Sequence, residues 1–183
     1  MNFFRIFITL CLIYIFFLPA HSSQKNSLNK LFDQLEKVND SKAAELLEKK
    51  IWAIWNEHPG DIRLTEKLEL GAELMKYGDY DYALKVFDNI LASDPAWSEA
   101  WNKRATVLFL MKQYTKSLSD IDKVLKIESR HFGALSGQAR IFIKLQEYEK
   151  AIISLKKALK FYPAFRSGEL IPEIERLIKE ESI

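Results

Sequence analysis

Apolar and polar positions repeat along the middle of this chain with a period of 34 residues. Aligning the sequence with itself at that shift brings aromatic, small and large aliphatic residues into register. The aligned sets are Tyr80, Tyr114 and Tyr148; Ala83, Ser117 and Ala151; and Phe87, Ile121 and Leu155. We therefore predict three copies of one structural unit, spanning residues 64–97, 98–131 and 132–165.

Within each unit the apolar residues follow one another at intervals of three and four, which is the spacing of a helix with one buried side. Two such stretches flank a short turn, at residues 78–80 in the first unit. Pro95 and Pro163 follow the second stretch, where proline ends a helix because it has no N–H to donate. Each unit is thus predicted to be a helical hairpin. Because one hairpin cannot cover its own apolar side, we expect the hairpins to stack.

These residues resemble the tetratricopeptide repeat. The pattern of that family is matched by Leu70, Gly71, Leu74, Ala83, Phe87, Ile90 and Pro95, and its aromatic residue is supplied in the second unit by Trp101. The chain departs from the pattern at Lys67, Arg104, Ser129, Leu135 and Gln138. The resemblance implies an all-α fold, a tetratricopeptide-repeat solenoid of stacked antiparallel helical hairpins with capping helices.

Helical patterns also flank the three units. Residues 23–63 carry two amphipathic stretches that end at Pro59 and Gly60. We interpret this pair as a degenerate repeat that caps the stack. Residues 166–183 carry apolar residues at helical spacing after Pro172, and we expect a C-terminal capping helix there.

Residues 1–22 have the layout of a secretory signal peptide. Arg5 precedes a mostly apolar stretch over residues 6–18, and Pro19 and small residues follow it. The stretch is shorter than the roughly 20 residues that cross a bilayer as a helix. We expect cleavage after Ser22, export to the periplasm or the medium, and no membrane contact in the mature form. In the alternative the segment stays as an N-terminal anchor, and export is common to both interpretations.

Charge and composition disfavour several classes of function. The 27 basic and 25 acidic residues are well mixed and leave a net charge of +2, which gives no general attraction for nucleic acid. The single cysteine, Cys11, lies in the predicted signal peptide. The histidines, His21, His58 and His131, lack the spacing of a metal site. We expect no cofactor, no metal and no enzymatic activity, although a single buried glutamate would be an open route to catalysis.

By resemblance, the first helix of each unit lines a concave groove. The residues expected in this partner-binding groove are Leu68, Met75, Lys76, Asn102, Lys103, Thr106, Phe109, Leu110, Arg140, Ile143 and Lys144. Apolar and basic residues mixed in this way suit an amphipathic or extended peptide with some negative charge, for which Arg140 is the best single anchor. In the alternative, the terminal helices cover this face and bury Phe109 and Leu110 as core.

The resemblance also bears on one type of partner. In the tetratricopeptide groove that binds chaperone C-terminal carboxylates, lysine, asparagine and arginine side chains form a clamp. The matching positions here hold Leu68, Ala72, Lys103, Gly133 and Gly137, so we do not expect that clamp. The predicted function is a non-catalytic scaffold or adaptor of the cell envelope that binds a protein or peptide. The alternative is an accessory or weakly catalytic protein of cell-wall metabolism.

Overall fold

The computed structural model describes residues 22–181, which form nine helices joined by short loops. Helix α1 spans residues 22–35. The next helices are α2 (Ser41–Asn56), α3 (Ile62–Lys76), α4 (Tyr80–Ser93), α5 (Ser98–Leu110), α6 (Tyr114–Ile127), α7 (Phe132–Lys144) and α8 (Tyr148–Phe161). A 3₁₀ turn over Arg166–Leu170 leads into α9 (Ile171–Glu181). The predicted all-α fold is confirmed. The predicted signal peptide, except Ser22, lies outside the described residues.

The two helices of each hairpin are joined by the same backbone turn in all three copies. Gly78, Lys112 and Gln146 occupy equivalent positions and have φ values of 83°, 60° and 60°. In each copy the N–H of the following residue donates to a carbonyl five residues back, over 2.8 to 2.9 Å. This bond satisfies a carbonyl that the end of the first helix leaves without a partner. The turn therefore has a fixed geometry, although only the first copy has glycine in it.

Small residues let the two helices of a hairpin approach closely. Gly71 of α3 faces the ring of Phe87 in α4, and a Cβ atom at residue 71 would lie 2.5 Å from that ring. Ala105 has the equivalent place in α5, where its carbonyl accepts a hydrogen bond of 2.7 Å from Ser117 Oγ. Larger side chains at these places would force the helices apart.

Successive hairpins pack through one side of each first helix. Ala100 and Val107 of α5 join the core of the first repeat. Ala134 and Ile141 of α7 likewise join the core of the second. Contacts also run directly from α3 to α5 and from α5 to α7, whereas contacts of that extent do not join α4 with α6 or α6 with α8 in the described chain. The first helices therefore form the inner, concave layer of the solenoid.

Arg104, where the first repeat has a leucine, links two repeats through charged hydrogen bonds. Its guanidinium donates to Asp120 of α6 over 2.8 Å and to Asp88 of α4 over 2.7 Å. The hydrogen bond with Asp120 contributes most to raising the pKa of Arg104. A fork of donors that reaches two carboxylates is a geometry that arginine provides and leucine does not. This departure from the family pattern therefore has a structural role.

The N-terminal helices α1 and α2 do not stack beside the first repeat as an end cap would. Their apolar residues share a core with the third repeat, made of Leu28, Phe32, Leu35, Ala44, Ile51 and Trp55 with Phe132, Leu135, Ala158 and Tyr162. The outward side of α3 carries the exposed carboxylates of Glu66, Glu69 and Glu73. Packing tryptophan side chains against it would bury these charges without partners, which is unfavourable. The large apolar surface that α1 and α2 require is found on the third repeat instead.

Helix α2 runs along the points at which the three repeats end, near Trp97, His131 and Tyr162, and we call these points the three junctions. At the third junction Glu48 accepts a hydrogen bond of 3.0 Å from the hydroxyl of Tyr162. At the second junction the ring of Trp55 stacks on that of His131, with ring centroids 3.9 Å apart. At the first junction the indole N–H of Trp97 donates to the carbonyl of Trp55 over 2.9 Å. We call α1 and α2 together the brace, because they touch all three junctions.

The C-terminal segment covers the other side of the third repeat. Ile174 of α9 is buried in one cluster with Ala139 of α7 and Leu155 of α8. The 3₁₀ turn over Arg166–Leu170 contacts both α8 and α9. Helix α9 thus lies where the sequence predicts a capping helix, while the brace reaches the same repeat from the junction side.

Candidate functional site

A cavity of about 400 Å³ lies on the inner layer between α5 and α7. Its lining residues are Trp52, Met75, Asn102, Lys103, Ala105, Thr106, Phe109, Ser117, Ile121, Gly133, Ser136, Gly137, Arg140, Ile141, Phe165 and Ser167. They come from the brace, from all three repeats and from the segment that leads into α9. The volume falls within the roughly 300 to 1,000 Å³ that is usual for ligand sites.

The structure brings six of the eleven predicted groove residues to this cavity. They are Met75, Asn102, Lys103, Thr106, Phe109 and Arg140. Met75 comes from the first repeat and Arg140 from the third, so one ligand in the cavity would contact every repeat. Six of the predicted residues therefore share one surface.

The other five predicted residues lie elsewhere. Leu68 is 1% exposed and belongs to the core of the first repeat, so it offers nothing to a ligand. Its equivalents Asn102 and Ser136 do line the cavity, and the difference follows from the apolar side chain of Leu68, which the core buries. Ile143 packs against the cluster under α9. The remaining three, Lys76, Leu110 and Lys144, are exposed and do not line the cavity.

The terminal segments cover part of the groove and leave part of it open. Trp52 of the brace and Phe165 before the 3₁₀ turn form two walls of the cavity. The alternative in which terminal helices bury Phe109 and Leu110 is nevertheless not what the structure has. Phe109 is half-buried with its ring 5.8 Å from that of Tyr114, and Leu110 is 41% exposed. The groove is narrowed to a cavity and is not filled.

A buried carboxylate, Glu99, lies beside the cavity in a network of polar groups. Its two oxygens lie 2.9 Å from His131 Nε2 and 3.0 Å from Lys103 Nζ. The amide of Asn102 donates to both oxygens over 3.2 to 3.3 Å. Each oxygen thus has partners, as a buried charge requires. Lys103 lines the cavity, but its charge is balanced by Glu99.

The network keeps Glu99 ionised. Burial by itself would raise the pKa of this carboxyl, but the hydrogen bond from His131 and the positive charge of Lys103 outweigh it, so the pKa is lowered. A carboxylate held in this state at neutral pH carries no proton to donate. Both oxygens of this carboxylate are already engaged, by Asn102, His131 and Lys103.

His131 has a structural role at the start of the third repeat. Its side chain is fully buried, and its Nδ1 accepts a hydrogen bond of 3.1 Å from the N–H of Ala134 at the start of α7. With Nδ1 accepting, the proton of the neutral ring lies on Nε2 and is donated to Glu99. The side chain therefore caps α7 and anchors Glu99, while Trp55 covers its face.

Arg140 and Lys144 of α7 place positive charge in and beside the cavity. Arg140 lines the cavity and Lys144 lies one turn further along, and both side chains are exposed. Neither forms an ion pair within residues 22–181. Like charges four residues apart on a helix repel each other, so an anionic group beside them would be favoured.

Ten of the sixteen lining residues are not among the eleven predicted groove residues, and Trp52, Gly133, Gly137 and Phe165 are four of these ten. Trp52 and Phe165 lie outside the first helices of the repeats, and nothing in the 34-residue pattern points to them. The two glycines are unusual in a predicted helix, because glycine within a helix lowers stability by about 1 kcal/mol relative to alanine. Their presence in one short helix calls for a reason in the structure.

The cavity presents groups that can make apolar contacts, hydrogen bonds and ion pairs. Apolar walls, hydroxyl and amide groups and the guanidinium of Arg140, which has no ion-pair partner among the described residues, meet there. Within the described residues no group of three or more histidine, cysteine or acidic side chains is placed to hold a metal ion. The same residues contain no helix with the length and apolar character needed to cross a membrane.

Sequence comparison identifies relatives of this chain. The family described as "Anaphase-promoting complex, cyclosome, subunit 3" matches residues 76–158. A TPR repeat-containing protein of Rhizobium etli is 35% identical over 150 residues, which amount to 82% of this chain and 73% of that protein. The match to the Rhizobium protein includes most of the chain and extends beyond the three repeats.

Solved structures of TPR domains have a similar fold. The first TPR of Spaghetti (RPAP3), bound to the HSP90 peptide SRMEEVD, has a TM-score of 0.60 at 20% identity and covers 63% of this chain and 93% of that one. The TPR2B domain of yeast Sti1, in a complex with pHsp70, has a TM-score of 0.56 at 20% identity over 67% and 98% of the two chains. At this identity the likeness concerns the fold alone. The repeated pattern, the stacked hairpins and the Rhizobium relative together show that the chain belongs to the tetratricopeptide-repeat family.

Proposed function

We propose that this protein is a non-catalytic interaction module that binds a segment of a partner polypeptide in the cavity between α5 and α7. The observation that carries the proposal is the convergence of apolar walls, hydrogen-bonding side chains and the guanidinium of Arg140, which has no ion-pair partner within residues 22–181, on one cavity that all three repeats line. TPR domains of the same fold hold peptides, as the Spaghetti domain holds an HSP90 peptide. That likeness supports the mode of binding and leaves the partner to be found.

The partner is proposed to differ in chemistry from a chaperone C-terminus. Of the positions that would match a carboxylate clamp, Leu68 is buried and Lys103 is balanced by Glu99. Gly133 lies under the indole of Trp52. With the clamp positions occupied in this way, the charge available to a ligand comes from α7 near Arg140. A partner that presents internal acidic residues fits this arrangement better than one that presents a free carboxyl terminus.

The alternative of a weakly catalytic protein of cell-wall metabolism needs a buried glutamate that can act as an acid or a base. Glu99 is the buried glutamate near the cavity, and its lowered pKa and its bonds to His131, Lys103 and Asn102 argue against such a role. The scaffold proposal is therefore the better supported of the two.

We further propose that the protein works outside the cytoplasm, in the cell envelope. Cleavage after Ser22 would remove one residue of the described part of α1. It would leave Gln24, whose side chain donates hydrogen bonds of 2.9 Å to the carbonyls of Ile54 and Glu57. The brace is thus compatible with removal of the predicted signal peptide.

Site-specific photocrosslinking tests the binding proposal. A photoreactive phenylalanine analogue at Thr106, which lines the cavity, is expected to capture a polypeptide in cells that produce the protein. The same analogue at Lys157, exposed on α8, is the matched control. Arg140→Glu is expected to reduce capture from residue 106. Identical crosslinked products from residues 106 and 157 would contradict binding in the cavity. Products that Arg140→Glu leaves unchanged would contradict it as well.

The location is tested separately. A C-terminally tagged chain is recovered from cytoplasmic and envelope fractions, and its intact mass is measured. The proposal expects an envelope fraction whose chain begins at Ser23. A full-length chain in the cytoplasmic fraction would contradict export, and a full-length chain in the membrane fraction would favour the uncleaved anchor.

A further inference from the structure

Two glycines of α7 lie one turn apart on the side of the helix that faces the cavity. Gly133 and Gly137 both line the cavity, and they are the second and the sixth residue of a helix that spans Phe132–Lys144. Glycine is disfavoured at such positions because it gains no packing and loses the most backbone freedom on folding. Each glycine should therefore have a structural or functional reason.

The reason for Gly133 is visible in the fold. A Cβ atom at residue 133 would lie 2.5 Å from Cη2 of Trp52, so the indole of the brace rests directly on the helix backbone at this point. Any larger residue would push Trp52 away. The protein thus contains one example of a flat aromatic side chain that packs on a glycine of α7.

The fold gives no such reason for Gly137. A Cβ atom there would meet only Cδ1 of Ile121 at 3.7 Å, which is an ordinary contact that alanine would tolerate. The helix backbone at Gly137 is therefore bare toward the cavity. Two aromatic side chains, Phe109 and Phe165, form walls of the same cavity. The cavity that Gly137 lines thus has aromatic side chains in its wall, with which another ring can pack.

Charge follows directly after this bare segment of the helix. Arg140 lies three residues beyond Gly137 and so occupies the same face one turn along, and Lys144 follows four residues later. Both are exposed and neither has an ion-pair partner in the part of the chain that the structure describes. A ligand that reaches from Gly137 toward Lys144 therefore passes from an apolar surface to two cations.

We infer that the cavity is a specificity pocket for a partner segment in which an aromatic residue lies close to an acidic one. The aromatic ring packs on the backbone at Gly137 as Trp52 packs on Gly133, and the carboxylate pairs with Arg140 and Lys144. This inference rests on the proposed binding of a polypeptide in the cavity, and it adds the side chains that the partner must present.

The experiment selects a phage-displayed random peptide library on the purified protein and titrates the enriched peptides, made synthetically, by fluorescence anisotropy. Enriched sequences are expected to share an aromatic residue with aspartate or glutamate nearby. Gly137→Leu, which fills the space beside the helix, is expected to weaken binding by about tenfold or more, as loss of a central contact does. Asn89→Leu, which adds the same side chain at an exposed site of α4, is the control and should leave affinity unchanged.

Gly137→Ala keeps the inference testable if the leucine variant folds poorly. This variant is expected to raise the thermal midpoint, because alanine favours helix and meets only Ile121, yet to weaken peptide binding severalfold. Arg140→Glu is expected to weaken peptides that carry the acidic residue and to spare versions of them in which that residue is alanine.

Two results would overturn the inference, and they differ in what else they remove. Enriched peptides without an aromatic residue, or peptides whose affinity is indifferent to both Gly137 variants, would end the specificity inference and leave peptide binding in place. Failure to enrich any peptide that binds the wild-type protein would contradict the proposed function as well.

Discussion

At the scale of single residues, the hairpin turns show how one backbone conformation accepts three different side chains. Gly78, Lys112 and Gln146 all have positive φ, and each is followed by the same hydrogen bond back to the first helix. A left-handed conformation costs a residue with a side chain roughly 1 to 2 kcal/mol, and glycine avoids that strain. The second and third turns are therefore strained where the first is not.

We predict that Lys112→Gly stabilises the protein. Relief of roughly 1 to 2 kcal/mol of strain outweighs the roughly 0.4 to 1 kcal/mol by which glycine favours the unfolded chain, so the free energy of unfolding should rise by about 0.5 to 1 kcal/mol. Urea denaturation measures the difference. Lys123→Gly, at an exposed helical site of α6, is the control and should lower stability by about 1 kcal/mol. A loss of stability in both variants would contradict the claim that the positive φ of Lys112 is strained.

Glu99 gives a second prediction at this scale. Glu99→Gln removes the buried charge that pairs with Lys103 and replaces one acceptor oxygen by an NH2 donor, so at pH 7 the free energy of unfolding should fall by about 3 to 5 kcal/mol. Because the pKa of Glu99 is lowered in the folded protein from its ordinary 4.5, its contribution is complete above that pH and is lost as the pH falls through the lowered value.

The difference between wild type and Glu99→Gln should therefore be constant above about pH 5 and shrink on further acidification. Denaturant titrations at pH 7 and pH 3 measure it. Glu149→Gln, on the exposed side of α8, is the matched control and should stay close to wild type at both values. An equally large deficit of Glu99→Gln at both pH values would show that the charge is not what stabilises this site.

At the scale of helices and hairpins, the sequence predicts local structure better than it predicts which surfaces meet. The hairpins follow from apolar spacing, proline positions and small residues such as Gly71, all of which act within one repeat. The surface on which the brace packs is determined by contacts between residues that are far apart in the sequence, such as Glu48 and Tyr162, which are 114 positions apart. Amphipathic spacing marks Trp55 as an inward-facing residue but carries no information about the surface that receives it.

The candidate site also contains residues that the repeat pattern predicts and residues whose position depends on long-range packing. Asn102, Thr106 and Arg140 were predicted because they lie at repeat positions that line the groove in the family, and the cavity includes them. Trp52 and Phe165 reach the cavity from outside the repeats, so their role depends on how those segments fold back. Leu68 was predicted to line the groove but is buried in the core, because a groove position in one repeat can be a core position in another.

The brace is expected to be a major source of stability. Trp55 is 4% exposed and contacts His131 and Phe132, so Trp55→Ala should lower the free energy of unfolding by about 3 to 5 kcal/mol. Leu46→Ala on the same helix removes a side chain that is 59% exposed and should change stability by less than about 0.5 kcal/mol. Chemical denaturation compares the two. Similar losses in both variants would mean that α2 does not dock as described.

At the scale of the whole molecule, the first repeat ends the solenoid with a surface unlike its equivalents. Ala100 and Val107 are buried against the preceding repeat, whereas the equivalent residues of α3 are the exposed Glu66 and Glu73. A charged outer face is what the terminal unit of a solenoid needs for solubility. Since the brace lies on the junction side, these glutamates prevent another apolar surface from stacking on the open end.

We predict that removing both charges makes this end associate. In the double variant Glu66→Ala and Glu73→Val the outward side of α3 regains the residue types of α5, next to Leu70 and Tyr77, which are 50% and 74% exposed. Sedimentation velocity should then show concentration-dependent dimers or larger species. A double change of the same size elsewhere, Asp122→Ala with Glu149→Val, should stay monodisperse to the same extent as wild type. Unchanged sedimentation of the first variant would mean that Glu66 and Glu73 have no protective role.

The brace has a consequence for synthesis of the chain. Its tryptophans leave the ribosome well before the third repeat exists, because Tyr162 follows Trp55 by 107 residues. At translation rates of about 5 to 20 residues per second, that interval lasts roughly 5 to 20 seconds. Throughout it the nascent chain holds an apolar helical pair whose core partners in the third repeat are not all present. The first two repeats can fold while synthesis continues, but the brace can pack fully only after the third repeat has been made.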